Sequence, residues 1–439
     1  MAQGELTTEP ERAFTNARLI DPAQELDASG SLLVRDGKIA AIGADIEIPD
    51  SAETLDCSGL AILPGLIDMQ VFTGEPGEEH RETLATASHA AAAGGVTHMV
   101  VMPNTTPAID DAALVDFISR RARGTASVRV HPMAAITKNC EGRVMTEFGL
   151  LREAGAVAFT DGDRAVMNAL TMRRALSYAS NFDALIVQHA LDQDLQSAGV
   201  MHEGELATRL GLTGIPVAAE TAIIDRDIRL VELTGARYHI SQVSSGESVE
   251  AVRQAKARGL AVSCAVSAAH LMLNENDVEN YRTFAKLNPP LRSEDDRLAL
   301  VDGLADGTID IVVSGHNPQD AEAKRQPFAQ AAYGTVGVET LLSVLLSLHH
   351  AHGLDLATLI RAVTHHPATL LDIDGGNLRA GAPADFALVD LEAPWIVDAD
   401  ALKSKSKNAA IEGRKLQGKV EACFVNGHSV FDSKMDTTK

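Results

Sequence analysis

Eight short apolar runs that alternate with segments of helical period are the feature that most restricts the fold of this sequence. The first run includes Leu66 and Ile67. The intervening segments, such as Asp111–Arg121 and Met167–Ala179, repeat apolar residues at the spacing of amphipathic helices. This alternation predicts an α/β protein built on a parallel (β/α)8 TIM barrel. The predicted strands that follow Leu66 are Val96–Met102, Val128–Ala134, Ala156–Phe159, Ala184–Gln188, Arg237–Val243, Ala261–Val266 and Ile309–Val313.

Both ends of the chain carry short β-like runs instead. Asp36-Gly37 follows the run Ser31–Arg35, and Asn426-Gly427 follows the run Val420–Val425. Both dipeptides favour tight hairpins. We expect the two ends to pair into one small β-sandwich domain beside the barrel. The predicted domains are residues 1–60 and 380–439 for the small β domain and residues 61–379 for the barrel.

The overall charge restricts the binding partners. A net charge of -22 over 439 residues argues against a nucleic-acid partner, which needs clustered Lys and Arg. The most apolar helical segment, Val336–Leu348, has about thirteen residues, against the ~20 needed to cross a bilayer, so no membrane role is expected. The N-terminus lacks the basic head and apolar stretch of a signal peptide. The four cysteines form no C-x-x-C pair, which predicts neither a zinc knuckle nor a disulfide framework and fits a reducing cytoplasm.

The most distinctive stretch follows the start of the first barrel strand. From Leu63 it runs Leu-Pro-Gly-Leu-Ile-Asp-Met-Gln-Val-Phe-Thr-Gly-Glu-Pro-Gly, and Met102-Pro103-Asn104-Thr105 ends the second strand. This frame resembles the cyclic amidohydrolases, most closely the dihydroorotases, whose pattern is Pro-Gly-x-x-Asp-x-His-x-His-x-Arg-x-Pro-Gly followed by Met-Pro-Asn-Thr. The resemblance covers nearly the whole chain and implies a barrel of the amidohydrolase type with a small β domain.

The positions that hold metal in that family are largely replaced. Gln70 and Phe72 stand where the family pattern has histidines, and Gly74 stands where it has arginine. Gln242 replaces the second histidine of Tyr-His-Val-x-His, and Gly315 replaces the aspartate of Thr-Asp-His. Neutral amides are poor zinc ligands, and phenylalanine and glycine offer no side-chain ligand. The resemblance therefore implies degenerate positions, with no catalytic residue and no cofactor expected there.

Three residues remain as candidate metal ligands. His189 occupies a ligand position after strand five, and Asp161 and Asp163 flank Gly162, where the family has an acidic ligand. A further three residues resemble parts of the family's substrate-recognition segments, namely Asn104, His270 and Asn288.

Three functions are compatible with this pattern. The leading expectation is a non-enzymatic dihydroorotase homologue in pyrimidine biosynthesis. It resembles the non-catalytic subunits that assemble with aspartate carbamoyltransferase, and an oligomer is expected. The alternative is an active dihydroorotase or related cyclic amidohydrolase, which would hydrolyse a cyclic amide C–N bond with zinc in an altered site. A third reading is a sensor of dihydroorotate or carbamoyl aspartate. The altered site of the second reading would draw on Asp161, Asp163, His189, His239 and His316.

Overall fold

The structure, a computed structural model, describes residues 11–436. Its strands are β1 (Arg12–Asp21), β2 (Leu26–Arg35), β3 (Lys38–Gly43), β4 (Glu53–Asp56), β5 (Ala61–Pro64), β6 (Leu66–Val71), β7 (Val96–Val101), β8 (Arg129–Pro132), β9 (Leu185–Gln188), β10 (Met201–His202), β11 (Gly214–Ile215), β12 (Arg237–Ile240), β13 (Val262–Ser267), β14 (Ile311–Val313), β15 (Phe386–Ile396), β16 (Lys415–Val425) and β17 (His428–Asp432).

Helices follow most of the barrel strands. They are α1 (Leu84–Ala93), α2 (Ala112–Thr125), α3 (Phe148–Glu153), α4 (Ala169–Ala179), α5 (Gln193–Gln196), α6 (Glu205–Leu210), α7 (Ala218–Thr234), α8 (Gly246–Ala257), α9 (Ala268–Met272), α10 (Glu294–Ala305), α11 (Ala321–Lys324), α12 (Leu341–His352), α13 (Leu356–Arg361), α14 (His365–Leu371) and α15 (Ser433–Asp436). Short 3-10 helices cover Lys138–Cys140, Ser180–Phe182, Glu275–Tyr281, Thr283–Ala285 and Ala399–Ala401.

The parallel strands between β6 and β14 form the barrel. β6, β7 and β8 pair in that order, and β9, β12, β13 and β14 form a second parallel set. Phe159 links the two sets through isolated bridges to Ala134 and Ile186, so the predicted fourth strand contributes bridges instead of a full strand. A bridge between Val71 and His316 closes the ring. The predicted TIM barrel is confirmed.

The small domain combines both ends of the chain in one sheet of eight strands. The order is β17-β16-β15-β5-β1-β2-β3, and β4 pairs with β1. Phe14, Phe386 and Phe424 form its aromatic core, with ring centroids 4.7–5.0 Å apart. The expected small β domain from the two chain ends is confirmed.

The boundary between the domains differs from the expected one at residue 61. β5 pairs with β1 and β15, so Ala61–Pro64 belong to the sheet of the small domain, and the barrel begins with β6 at Leu66. The sequence could not separate β5 from β6 because the buried run from Ala61 to Ile67 spans both strands and contains no polar residue.

Asp385 connects the small domain to the barrel. Its buried carboxylate accepts hydrogen bonds from Arg129 Nε at 2.6 Å and from the backbone N–H of Asn426 at 2.7 Å. Its backbone oxygen also accepts from the N–H of Gly65. One residue therefore links β8 of the barrel, the β5–β6 turn and the β16–β17 hairpin.

The segment before β16 returns to the C-terminal end of the barrel. The Asn408 side chain accepts from the N–H of Gln319 and donates to the carbonyl of Gly334, each at 3.0 Å. The buried Ser404 donates to the Glu82 carboxylate at 2.5 Å. Ser406 of the same segment is also buried and donates to the backbone oxygen of Arg81 at 2.7 Å.

Within residues 11–436 no helix is both long enough and apolar enough to cross a membrane. All four cysteines lie in this part of the chain as buried free thiols.

Candidate functional site

A cavity of about 540 Å³ opens at the C-terminal ends of the barrel strands. Residues at these ends converge on one mouth because the strands of the barrel are parallel. The cavity brings together ten of the residues predicted from the sequence, although they come from loops far apart along the chain. Those lining residues are Gln70, Phe72, Asn104, Asp161, Asp163, His189, Gln242, His270, Asn288 and Gly315.

His239 and His316, which the sequence offered for an altered metal site, do not line the cavity. His239 Nδ1 hydrogen-bonds to Ser263 Oγ at 2.8 Å between neighbouring strands. His316 Nδ1 accepts from the N–H of Gly337, and its Nε2 faces the Glu82 carboxylate at 3.7 Å. Both rings are buried outside the lining of this cavity, so the structure does not bring them together with His189 there.

His189 is a buried imidazole in the wall of the cavity. Its side chain is 2% exposed, and neither ring nitrogen has a hydrogen-bond partner among the described residues. Burial lowers the pKa of His189, and the negative charge of Asp163 opposes this shift. The imidazole is therefore neutral at pH 7 and can accept a proton. Buried polar atoms are rarely left unpaired, so both nitrogens are set to engage a molecule in the cavity.

The two candidate aspartates differ in their surroundings. Asp161 is buried and accepts from the Thr137 N–H at 2.8 Å and from Thr137 Oγ1 at 2.5 Å. Burial raises the pKa of Asp161 to about 6. Asp163 is exposed at the mouth and accepts from Asn104 Nδ2 at 3.3 Å. Asp161 is thus engaged by Thr137, whereas Asp163 can reach a bound molecule.

Two amides meet where the family pattern places histidines. Gln242 Nε2, beyond the end of β12, donates to Gln70 Oε1, near the end of β6, at 2.9 Å. Phe72 faces the same cavity, and the guanidinium of Arg81 lies 4.4 Å from its ring centroid. The side chains at these replaced positions therefore make defined contacts within the protein.

The donor atoms at the mouth do not fit the metal centre that the family resemblance implies. Among residues 11–436 no group of three or more His, Cys, Asp or Glu side chains is placed to hold a metal ion. A Cβ at Gly315 would lie 3.0 Å from Gln242 Nε2, and one at Gly162 would lie 2.4 Å from the side-chain Cγ of Asn104. Amide side chains occupy the space that acidic ligands at these glycines would need.

The predicted recognition residues have partners in the wall of the cavity. His270 Nδ1 hydrogen-bonds to Ser267 Oγ at 2.7 Å, and its Nε2 lies 3.1 Å from the Pro289 oxygen. Burial lowers the pKa of His270 to about 4, so it is neutral. Asn288 Oδ1 accepts from Gln196 Nε2 at 3.5 Å. Asn104 Oδ1 is buried without a partner among the described residues.

The structure also shows two arginines at the cavity that sequence reasoning missed. Arg81 donates to Asn317 Oδ1 at 2.7 Å and to the Pro318 oxygen at 2.8 Å. Arg164 is exposed at the mouth, next in sequence to Asp163. Proximity to Asp163 was a usable signal for Arg164. Nothing in the sequence indicated Arg81, because its contact with Phe72 exists only in the folded chain.

Comparison with known proteins gives a consistent result. Residues 59–248 match the Dihydro-orotase-like family. A dihydroorotase of Ehrlichia chaffeensis (strain ATCC CRL-10679 / Arkansas) is 42% identical over 96% of this chain and 95% of its own length. A dihydroorotase of Syntrophus aciditrophicus (strain SB) is 42% identical over 94% of this chain and 97% of its own.

Two solved structures have the same fold as this chain. The L-hydantoinase (dihydropyrimidinase) from Arthrobacter aurescens superposes with a TM-score of 0.85 at 25% identity, covering 96% of each chain. The dihydropyrimidinase from Brevibacillus agri NCHU1002 superposes with a TM-score of 0.84 at 21% identity, covering 97% of this chain and 95% of its own.

These relatives correct two expectations. The interpretation as a catalytically inactive structural partner, and with it the expectation that the chain is not an enzyme, is wrong. Relatives matched over nearly their whole length are named dihydroorotase, and neither is named as a non-catalytic subunit. The inference failed because it equated the loss of metal ligands with the loss of function.

Proposed function

The chain belongs to the dihydroorotase family, and from that premise we propose that it hydrolyses the ring amide of a cyclic ureide, as a dihydroorotase or a closely related cyclic amidohydrolase. The observation that carries the proposal is the pair of buried, unpartnered nitrogens of His189 inside the cavity at the barrel mouth. A neutral imidazole in such a site is suited to take a proton from water.

The size and lining of the cavity support a small polar substrate. Its volume of about 540 Å³ is ample for a six-membered ring together with a water molecule. Many of its side chains are amides, which pair well with the N–H and C=O groups of a ureide. They are Gln70, Asn104, Asn139, Gln242, Asn288, Asn317 and Gln319. Arg164, exposed at the mouth, offers a guanidinium to a substrate carboxylate.

The proposed reaction is a balanced acyl transfer to water. His189 accepts a proton as the water oxygen bonds to the ring carbonyl carbon, and the negative charge of Asp163 stabilises the imidazolium. Collapse of the tetrahedral intermediate breaks the ring C–N bond. The imidazolium then returns its proton to the departing nitrogen. The products are an open ureido group and a carboxylic acid, which releases its proton to solvent to become a carboxylate, and no step requires a metal ion.

Replacing His189 tests the proposed function directly. We expect His189→Asn to lower kcat for the ring opening of dihydroorotate by about 100-fold or more, because a general base contributes roughly that factor. Chromatography of substrate and carbamoyl aspartate, in both directions, measures the rate. His352→Asn is the matched control, since His352 is exposed at the end of α12.

Two results would contradict the proposal. One is that the folded full chain opens neither dihydroorotate nor dihydrouracil above the rate in buffer. The other is that His189→Asn retains full activity. Tight binding of dihydroorotate without turnover would instead favour the sensor function.

Two further proposals concern partners and location. We propose association with aspartate carbamoyltransferase and self-association, both supported by the sequence resemblance alone, and a cytoplasmic location, supported by the free cysteines. Co-purification of the untagged chain from cells, followed by light scattering of the isolated protein, tests the two associations. A monomer that co-purifies with no transferase would contradict both.

A further inference from the structure

The hydrogen-bonded pair Gln70–Gln242 lies where the family pattern places metal-binding histidines. Both side chains line the cavity, and their 2.9 Å hydrogen bond uses only Gln242 Nε2 and Gln70 Oε1. Gln70 Nε2 and Gln242 Oε1 stay outside that bond. The pair therefore leaves one neutral donor and one neutral acceptor available to a molecule in the cavity.

A substrate with the complementary pattern is a cyclic amide. The ring holds the amide bond in the cis conformation, so the C=O and N–H groups point to the same side. They can therefore hydrogen-bond at the same time to one donor and one acceptor of the protein. The carbonyl can accept from Gln70 Nε2 while the ring N–H donates to Gln242 Oε1. Buried neutral hydrogen bonds of this kind also polarise the carbonyl toward attack by water.

The surroundings make the pair unsuitable for a cation. A divalent ion would need several deprotonated ligands, whereas the two amides are neutral and Phe72 offers none. The space at Gly315 is taken, since a Cβ there would lie 3.0 Å from Gln242 Nε2 and 3.2 Å from Ser267 Cβ. Gly315 also has a φ of +62°, which disfavours any side chain. The residues at these positions, Gln70, Phe72, Gln242 and Gly315, therefore fit together sterically.

We propose that the Gln70–Gln242 pair is an amide-recognition site that replaces the metal centre, and that it binds the cis-amide edge of a cyclic ureide without a divalent cation. This inference rests on the proposed function for its substrate class. It goes beyond that function by assigning the recognition of the scissile amide to two named side chains.

Binding measurements on the full chain test the proposal. Isothermal titration calorimetry with dihydrouracil, a neutral cyclic ureide, gives the affinity with and without EDTA. Titration with Zn²⁺ alone and elemental analysis after chelator-free purification give the metal content. We expect sub-stoichiometric zinc, no saturable Zn²⁺ binding at the site, and the same dihydrouracil affinity in EDTA.

Two substitutions of Gln70 separate the effect of losing the hydrogen-bond donor from the effect of adding a charge. Gln70→Glu keeps the acceptor for Gln242 but removes the free donor, and Gln70→Met removes both without adding charge. We expect each to weaken dihydrouracil binding by about tenfold or more, because a buried partner is left unpaired. Gln330→Glu, at an exposed position that does not line the cavity, is the matched control and should bind like the unmodified chain. Circular dichroism and thermal midpoints establish that each variant is folded.

The outcomes distinguish this inference from the proposed function. Stoichiometric zinc, or binding that EDTA abolishes, overturns the inference while ring opening can stand. Unchanged affinity in folded Gln70→Glu and Gln70→Met overturns it as well. Dihydrouracil binding that depends on Gln70 but leads to no ring opening supports the inference and contradicts the proposed function.

Discussion

Gly162 and Gly315 show how single residues shape the mouth of the barrel. Both have positive φ values, +74° and +62°, and an added Cβ at either position would approach an amide side chain. At Gly162 the neighbour is Asn104, whose Nδ2 donates to Asp163. Restoring an acidic residue at such a glycine therefore requires displacement of an amide that already has a role.

Substitution of Gly162 gives a prediction at this scale. Gly235→Asp, at a helix end with φ of +66° and no atom within 4 Å of the added Cβ, should cost about 1 kcal/mol from backbone strain alone. Gly162→Asp should cost roughly 2 kcal/mol more because its Cβ also overlaps Asn104. Denaturant unfolding of both variants measures the difference. Equal destabilisation would show that Asn104 gives way freely.

At the scale of secondary-structure elements, Asp385 links the barrel to the small domain. Arg129 reaches its carboxylate with Nε at 2.6 Å and Nη2 at 3.3 Å, and the Asp385 side chain is 2% exposed. The pair Arg18–Asp27 has a similar two-point geometry at 2.7 and 2.8 Å, but both of its side chains are about half exposed. The chain thus contains a buried and an exposed version of one contact.

The two pairs should differ in their contribution to stability. Asp385→Asn is expected to lower the free energy of unfolding by about 3 kcal/mol, because it disrupts a buried ion pair and weakens the hydrogen bonds that join the domains. Asp27→Asn should cost less than ~1 kcal/mol, since exposed pairs contribute little. Urea unfolding followed by circular dichroism measures both. A loss of under ~1 kcal/mol for Asp385→Asn would contradict a linking role.

The sequence predicted the elements better than their boundaries and contacts. The alternation of strands and helices identified the barrel, because periodicity reports which faces are buried. The β5–β6 boundary was missed because two buried strands of different sheets follow each other without a polar break. The burial of Ser404 was missed because its acceptor, Glu82, lies far away in sequence.

Part of the candidate site was predictable from the barrel architecture. Strand ends converge in a parallel barrel, so the positions of Gln70, His189 and Gln242 placed them at one cavity. The Gln70–Gln242 bond and the position of Arg81 over Phe72 depend on tertiary geometry that no local pattern encodes. The expectation of a catalytically inactive protein was wrong because each replaced metal-ligand position was considered separately.

Buried histidines make the stability of the whole molecule depend on pH. Burial lowers the pKa of His98 and His270 to about 4 and that of His239 to about 3. An unfolded histidine titrates near 6.5, so as pH falls below that value the unfolded chain binds protons that the folded chain does not. These groups therefore stabilise the fold above pH 6.5, and that contribution is lost as pH falls toward 4. Asp161 and Asp227, whose pKa burial raises to about 6, act in the opposite direction.

Five histidines whose pKa burial lowers to about 3 or 4 act against the carboxyls with raised pKa, so we expect a net loss of stability on acidification. They are His98, His131, His202, His239 and His270. Between pH 7 and pH 4 the free energy of unfolding should fall by several kcal/mol, which lowers the thermal midpoint by several degrees. Calorimetry across this range measures the effect. His239→Asn should reduce the slope, whereas the exposed His352→Asn should leave it unchanged. A midpoint that rises on acidification would show that the aspartates dominate.

The return of the segment around Asn408 to Gln319 and Gly334 has a consequence for biosynthesis. Part of the rim of the cavity is supported by residues that the ribosome adds after the last barrel strand, β14. A nascent or prematurely terminated chain that holds every barrel strand would still lack this support. Competence for ligand capture should therefore arise only after Asn408 has been synthesised and has folded back, and truncations that remove Asn408 should abolish it before they unfold the barrel.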